Sequence, residues 1–150
     1  MLFTGQADLN IDAKGRLAIP AKHRSKVDPG VHGTEWICVP WPTGVLRLYP
    51  EKTFAEIASR ADATLTPGPE EAELEAALFG MAEAVEPDSA NRIMLPKRHL
   101  GLLDLDGEVT VLGVRHHLEV WRRDAWQKDE ESRFARLPEL VARAARQRDQ

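Results

Sequence analysis

The chain has 150 residues, of which 43% are hydrophobic and 29% are charged, and its formal net charge at pH 7 is −4. These values are typical of a soluble globular domain that can bury a sizeable core, and no run approaches the ~18–20 apolar residues of a membrane span. Cys38 is the single cysteine, which excludes an intrachain disulfide, and the N-terminus lacks the pattern of a signal peptide, so we expect a cytoplasmic protein.

The first predicted elements are two short strands joined by a tight turn. Apolar and polar residues alternate loosely over 3–11, which predicts the first strand, and again over 16–19. The turn begins with Asp12, whose carboxylate is expected to accept backbone N–H groups ahead of it. Gly15 suits a backbone position with positive φ. The two strands are therefore predicted to form a hairpin.

The next elements are predicted to be a loop, two strands and two helices. Proline and glycine mark the loop, apolar runs mark the strands, and an apolar stripe at helical spacing marks the first helix. The second helix is acidic and joins the two parts of the chain. In order, these elements are a loop over 28–33, strands over 35–40 and 45–49, a helix that begins at Pro50, and the acidic helix over 69–81.

The second part of the chain is predicted to follow the same order and to add C-terminal helices. Asp124 is expected to cap the first of these helices, and Pro138 is expected to restart the chain as the last one. The predicted strands span 84–86, 92–95, 108–113 and 118–121, and the helices span 124–136 and 138–146.

The strongest signal is a nine-residue motif that occurs twice, over 12–20 and over 88–96. Both copies read Asp-x-x-(Gly/Asn)-Arg-(Leu/Ile)-x-(Ile/Leu)-Pro. Asn91 stands where the first copy has Gly15, and asparagine tolerates positive φ better than most residues do. Such a repeat predicts two half-domains of similar plan. Later strands also align, 37–39 with 109–111 and 46–49 with 118–121.

Charge is distributed unevenly along the chain. A local basic face attracts an anionic partner even when the net charge is negative. The alternative interpretation is that the basic side chains only solvate a surface helix. Residues 12–26 carry Lys14, Arg16, Lys22, Arg24 and Lys26 against one acidic residue, and residues 70–86 carry six glutamates without a basic residue.

No pattern in the sequence predicts an enzyme, a metal site or a cofactor. A phosphate-binding loop and a dinucleotide motif are absent from the sequence. His116 and His117 are adjacent, but no cysteine or carboxylate is placed to complete a zinc site, so we expect exposed turn histidines. Asp12 and Asp88 are better explained as turn caps than as an acid–base pair. The tryptophans fit core packing, with Trp41 left open.

With both motifs in view, the sequence resembles the MraZ family of bacterial transcriptional regulators. The resemblance covers nearly the whole chain and also rests on Phe3-Thr4-Gly5 and on Leu118-Glu119-Val120-Trp121 with Trp126 after it. It implies an α+β fold in which two tandem swapped-hairpin AbrB-like half-domains form a pseudo-dimeric β-barrel flanked by helices. The implied parts are 1–61 (first half-domain), 62–83 (connecting acidic helix), 84–136 (second half-domain) and 137–150 (C-terminal helix and tail).

The resemblance also implies a function. A protein of this family is expected to be a sequence-specific DNA-binding repressor, without catalytic activity, of the division and cell-wall gene cluster. It is expected to bind direct repeats in double-stranded DNA upstream of its own operon, as a closed homo-oligomeric ring at the nucleoid, away from any membrane. Carried onto this chain, the DNA-contacting residues are Lys14, Arg16 and Arg92, and the residues that shape the loops are Asp12, Gly15, Asp88 and Asn91.

The second loop departs from the family pattern. Asn91 stands where glycine is usual, and Ala90 stands where a larger polar residue is common. Arg92 is therefore the single cation at the tip of this loop, whereas Lys14 accompanies Arg16 in the first. We expect the second loop to contribute less to DNA binding than the first.

The main alternative is an assembly module whose ring binds a protein partner and not DNA. In that hypothesis Arg16 and Arg92 pair with Asp12 and Asp88 inside the barrel and hold the hairpins together. The two hypotheses differ in whether the loop arginines are solvent-exposed on one face. A small enzyme is a third class, but it lacks any recognisable site.

Overall fold

The structure, a computed structural model, describes residues 1–149 and shows a mixed α+β protein, as predicted. Most elements are short, and pairs of consecutive strands alternate with helices along the chain. Their bounds are β1 (Gln6–Asn10), β2 (Arg16–Ala18), α1 (Ala21–Arg24), α2 (Pro29–His32), β3 (Trp36–Trp41), β4 (Val45–Pro50), α3 (Glu51–Ser59), α4 (Pro69–Met81), β5 (Glu83–Val85), β6 (Arg92–Met94), α5 (Lys97–Leu103), β7 (Glu108–Val114), β8 (His117–Arg122), α6 (Arg123–Lys128), α7 (Glu130–Ala135) and α8 (Leu137–Arg148).

The two halves of the chain exchange strands. A six-stranded antiparallel sheet has the order β1-β7-β8-β4-β3-β5. Here β1 of the first half pairs with β7 of the second, and β5 of the second pairs with β3 of the first. Strands β2 and β6 pair with each other in a separate two-stranded sheet. The predicted hairpin of β1 and β2 is therefore wrong, because the chain turns at Asp12 but its two strands join different sheets.

The pairing has an approximate two-fold symmetry that relates the two motifs. Leu17 of β2 lies opposite Ile93 of β6, and these residues occupy the same place in their motifs. In the large sheet Arg47 of β4 lies opposite Glu119 of β8, which are equivalent in the alignment of the halves. The same approximate two-fold axis therefore relates the two halves in both sheets. Within the described residues neither sheet closes into a barrel, and barrel closure stays a prediction.

The strand registers correct the alignment of the repeats by one residue. Leu9 lies opposite Val109, whereas Val85, which has the same place before the second motif, lies opposite Trp36. Trp36, and not Ile37, is therefore the counterpart of Val109. The reason lies in the hairpins, because the turn between β3 and β4 has three residues and the turn between β7 and β8 has two.

The core lies between the two sheets and draws equally on both halves. Leu17 and Ile93 are completely buried, and burial of a side chain of this size contributes roughly 1.5–3 kcal/mol. Because side chains alternate along a strand, the neighbours of Leu17 and Ile93 in β2 and β6 face outward. Cys38 is also fully buried, as predicted.

The expectation of exposed turn histidines is wrong. His117 is only 6% exposed, and His116 is half-buried. Both rings stack beside Tyr49, and His117 Nε2 lies 2.8 Å from Glu119 Oε2. The turn is short, so its residues stay over the sheet and pack against it.

The C-terminal helices differ from the prediction in their breaks. The predicted helix over 124–136 is divided into α6 and α7 at Asp129, and Asp124 lies in the first turn of α6, whose cap is Arg122. The last helix, α8, begins one residue earlier than predicted, at Leu137. In the part of the chain that the structure describes, no helix has both the length and the apolar character needed to cross a membrane.

Candidate nucleic-acid interface

The first motif forms a turn that its aspartate closes. Asp12 Oδ1 accepts hydrogen bonds from the backbone N–H groups of Lys14 and Arg16, each at 2.9 Å. The N–H of Gly15 donates to the carbonyl of Asp12 at 2.9 Å, and Gly15 has φ +84°. A positive φ of this kind places little strain on glycine. The sequence Asp-x-x-Gly therefore fixes the backbone of the turn locally.

The second motif forms the same turn with different side chains. Asp88 Oδ1 accepts from the backbone N–H groups of Ala90 and Arg92, each at 2.9 Å. The N–H of Asn91 donates to the carbonyl of Asp88 at 2.9 Å, and Asn91 has φ +59°. The hydrogen bonds thus match those of the first turn one by one.

Each turn also holds its arginine through an ion pair. Arg16 Nε donates to Asp12 Oδ2 at 2.7 Å, and the two Nη groups of Arg16 are not used in that bond. In the second turn both Nε and Nη2 of Arg92 lie 3.0 Å from Asp88 Oδ2. In both turns the side-chain hydrogen bond to the aspartate is made by Nε of the arginine.

These contacts lower the pKa of both aspartates. The pKa of Asp12 lies below its ordinary value because the backbone N–H of Arg16, and then its side chain, bonds the charged carboxylate. The pKa of Asp88 is lowered mainly by the backbone N–H of Arg92. Both carboxylates are therefore ionised at neutral pH, and each partly neutralises the arginine beside it.

Both loop arginines lie on the same face of the β2–β6 sheet. In the ladder Arg16 lies opposite Met94, and Ala18 lies opposite Arg92. All four alternate with the buried Leu17 and Ile93, so they form the outward face of a two-stranded ribbon. The side chains of Arg16 and Arg92 are 27% and 37% exposed. This outward face is called the ribbon face below.

The two turns lie at opposite ends of the ribbon face. The N–H of Leu95 donates to the carbonyl of Gly15, and the N–H of Ile19 donates to the carbonyl of Asn91. The turns are thus four residues apart along the ribbon, or about 13 Å at ~3.3 Å per residue. The major groove of B-DNA, about 12 Å wide, admits a two-stranded ribbon.

Lys14 extends the basic character of the ribbon face at one end. It is exposed at the tip of the first turn, and the structure shows no ion pair for it among residues 1–149. Its counterpart in the second turn is Ala90, so the two ends differ in charge. Of the other basic residues near the first motif, Arg24 is exposed, and its Nε donates to the carbonyl of Ile19 at 2.9 Å.

Sequence reasoning missed two residues of the ribbon face. Ala18 is exposed, and Met94 is 50% exposed, between the two arginines. Apolar side chains of this kind contact the methyl group of thymine in the major groove. The alternation of β2 and β6 was the signal that pointed to them, because it places every second residue on the side of the arginines.

The arrangement has features of both earlier hypotheses. The arginines do pair with the aspartates of their own turns, as the assembly hypothesis expects. The pairs lie at the surface and not inside the protein, and both arginines share one outward face, as the DNA hypothesis expects. An arginine held in place by a carboxylate loses less freedom when it binds a further acceptor, so the pairing is compatible with DNA binding.

Comparison with known proteins identifies a family. The chain matches the family model described as "MraZ protein, putative antitoxin-like" twice, over residues 2–75 and 78–147. A protein of Chromobacterium violaceum named "Transcriptional regulator MraZ" is 34% identical over 83% of this chain and 84% of its own length. Proteins of the same name from Shewanella piezotolerans and Alcanivorax borkumensis are 32% and 29% identical, over 94% and 93% of this chain and 93% and 97% of their own lengths.

Proposed function

The chain belongs to the MraZ family, and we propose that it is a DNA-binding transcriptional regulator without catalytic activity. The observation that carries the proposal is the ribbon face, where two arginines of equivalent position share one outward surface. Relatives that match most of the chain are named as transcriptional regulators, which supports the same function. The negative net charge does not oppose it, because residues 12–26 carry five basic residues against one acidic residue.

Each residue of the interface has a proposed role. Arg16 and Arg92 read base edges or clamp phosphates, since a guanidinium can bond guanine with two donors at once. Lys14 contacts phosphate as a point charge. Asp12 and Asp88, with Gly15 and Asn91, hold the two turns so that the arginines are in place before DNA arrives.

The finer part of the proposal concerns the target and the assembly. We infer that the protein represses the division and cell-wall gene cluster by binding direct repeats upstream of its own operon, at the nucleoid. One subunit offers few cations, and each phosphate contact adds only part of a salt-dependent affinity. Several subunits linked in a closed ring raise the effective concentration of each ribbon face at the next repeat. The exchange of β1 and β5 between the halves supports a swapped-hairpin barrel.

The test is binding of the full chain to two DNA fragments over a series of salt concentrations. One fragment is the region upstream of its own gene, and the other has the same bases in scrambled order. We expect tighter binding to the upstream fragment by at least ~10³-fold, as specific sites typically show, and a linear fall of log affinity with log salt. Equal affinity for the two fragments contradicts sequence-specific binding.

A second candidate function is an assembly module that binds a protein partner. The observation in its favour is that Arg16 and Arg92 each already have a carboxylate partner. In that case the pairs stabilise the turns and DNA is not bound. Replacing Arg16 separates the two candidates, as set out in the Discussion.

A further inference from the structure

Two helices carry apolar side chains that the described part of the chain leaves uncovered. The first is α4, where Leu74 and Phe79 are 60% and 45% exposed. Among the apolar residues of α4 only Leu78 and Met81 are half-buried, and the others are exposed. Between α4, the end of β3 and α5 lies an open groove of about 550 Å³, called the α4 groove below. Trp41, Leu74, Leu78, Met81 and Leu102 line it.

The second helix is α8, which projects from the protein. Its substantial packing within the described chain is against α7 alone. Leu137, Leu140 and Val141 are 49%, 41% and 64% exposed, and their spacing places them on one side of the helix. A helix of 12 residues is marginal in water without a partner. This apolar side of α8 therefore requires a surface to cover it.

The charges of the two helices are opposite. Helix α4 carries four glutamates, Glu70, Glu71, Glu73 and Glu75, and no basic residue. Helix α8 carries three arginines, Arg143, Arg146 and Arg148, against one glutamate. Complementary charge of this kind steers two surfaces together and fixes their orientation. The lengths also match, since both helices extend about 18–20 Å at 1.5 Å per residue.

We propose that α8 of one copy of this chain docks in the α4 groove of a second copy. The two surfaces are different, so the contact is head-to-tail and each copy can bind one neighbour through its groove and another through its helix. Such contacts build a ring when the rotation closes. The inference specifies the contact surfaces of the assembly proposed above and partly rests on that proposal, but its test involves no DNA, so either one can fail while the other stands.

The test uses two variants of the full chain with complementary defects. Leu140→Asp places a charge on the apolar side of α8, and Leu74→Asp places one in the α4 groove. Both positions are exposed, so neither change removes a core contact and we expect each variant to keep a cooperative thermal unfolding transition. By analytical ultracentrifugation, each variant alone is expected to self-associate at least tenfold more weakly than the unmodified chain and to sediment as a monomer of about 16.8 kDa.

The decisive measurement is the mixture of the two variants. The intact helix of Leu74→Asp fits the intact groove of Leu140→Asp, and we expect a one-to-one dimer that does not grow further. Matched controls put the same charge on the opposite sides of the helices, as Ala142→Asp in α8 and Ala76→Asp in α4. These controls are expected to assemble like the unmodified chain.

Each other outcome overturns the proposal in its own way. If Leu74→Asp still self-associates fully, α8 contacts something other than the groove, such as α8 of another copy. If Leu140→Asp still self-associates fully, α8 is not part of the contact. If both variants are monomers and the mixture forms no dimer, or if the unmodified chain is itself a monomer at micromolar concentration, the head-to-tail contact does not exist.

Discussion

The two turns at the ends of the ribbon face have the same backbone but different surroundings. Gly15 is buried, and a Cβ added there would lie 3.4 Å from Leu100 Cδ1 and 3.7 Å from the carbonyl of Leu95. Asn91 is exposed, so its side chain has space. The distances at Gly15 are ordinary van der Waals contacts, so both turns need a residue that tolerates positive φ, and only the first holds that residue in a buried position.

The difference extends to charge and shows how a repeat can diverge. The aspartate of each turn is fixed by its hydrogen bonds to the backbone, and it is the same in both. The residue two places after the aspartate makes no side-chain contribution to the turn, and it is Lys14 in one copy and Ala90 in the other. The aspartate that forms the turn is thus the same in both copies of the motif, whereas the residue at the tip of the turn differs.

The largest effect is expected for Arg16→Ala. Loss of a bidentate base contact costs about 1–3 kcal/mol, and the losses compound when several ribbon faces bind together, so specific affinity should fall by orders of magnitude. Folding should change little because the arginine is part-exposed. Gel shift and thermal melting of the same variant check this, with Arg60→Ala, which removes a more exposed arginine–carboxylate pair with Glu56, as the control. Retained binding with a large fall in melting temperature supports the assembly module.

A smaller loss is expected for Arg92→Ala. Arg92 has no lysine beside it, because Ala90 stands where the first turn has Lys14. Its removal should lower affinity in the same direction as Arg16→Ala, but by a smaller factor in the same gel shift. The ranking of the two turns is wrong if Arg92→Ala proves the more damaging.

The comparison is sharpened by Ala90→Lys, which gives the second turn the cation of the first. We expect tighter DNA binding at low salt and a steeper salt dependence, with a slope larger by about 1 for each ribbon face that contacts DNA. The measurement is fluorescence anisotropy over a salt series. Ala90→Gln is the control, because it adds length without charge and should leave the slope unchanged.

A difference in stability is expected when the two residues of positive φ are replaced. Gly15→Ala introduces a Cβ at φ +84° and should cost roughly 1–2 kcal/mol, the usual penalty of the left-handed conformation. Asn91→Gly should change the free energy of unfolding by only a few tenths of a kcal/mol, because asparagine already tolerates that conformation. Urea unfolding monitored by circular dichroism checks both. Equal destabilisation by the two changes contradicts this expected difference between the two positions.

The smallest effect concerns pH, and it should be the same in both turns. The pKa values of Asp12 and Asp88 are lowered in the folded state, so their stabilisation is present above the unfolded value of 3.8 and is lost as the pH falls through the folded value. Asp12→Asn and Asp88→Asn should each flatten the fall of melting temperature below pH 4. A steeper fall in either variant contradicts the direction of these shifts.

The sequence was sufficient for the local parts of the site. Asp-x-x-Gly and Asp-x-x-Asn determine their turns through contacts within five residues, and alternation determines which side of the strand the arginine occupies. The exchange of strands could not be predicted from local patterns, because Gln6 pairs with Leu112, which is distant in the sequence. A local hairpin of β1 and β2 fits the same alternation of apolar and polar residues.

The burial of the histidines could not be predicted from the sequence either. His23 and His99 lie three residues after the prolines of the two motifs, and both are buried. His99 Nε2 lies 2.6 Å from the carbonyl of Met81. This contact depends on the position of the C-terminal end of α4 in the fold. The alignment of the two repeats was shifted because the β3–β4 turn is one residue longer than the β7–β8 turn. Turn length decides the strand register, and the composition of the strands does not reveal it.

The exchange of strands has a consequence for synthesis of the chain on the ribosome. Strand β1 is made first, but its partner β7 follows about 100 residues later along the chain. At ~5–20 residues per second, β1 waits on the order of 5–20 s before its partner exists. During that time its unpaired edge is open to strands of neighbouring nascent chains. The polar Gln6, Asp8 and Asn10 that alternate along β1 keep that waiting strand soluble.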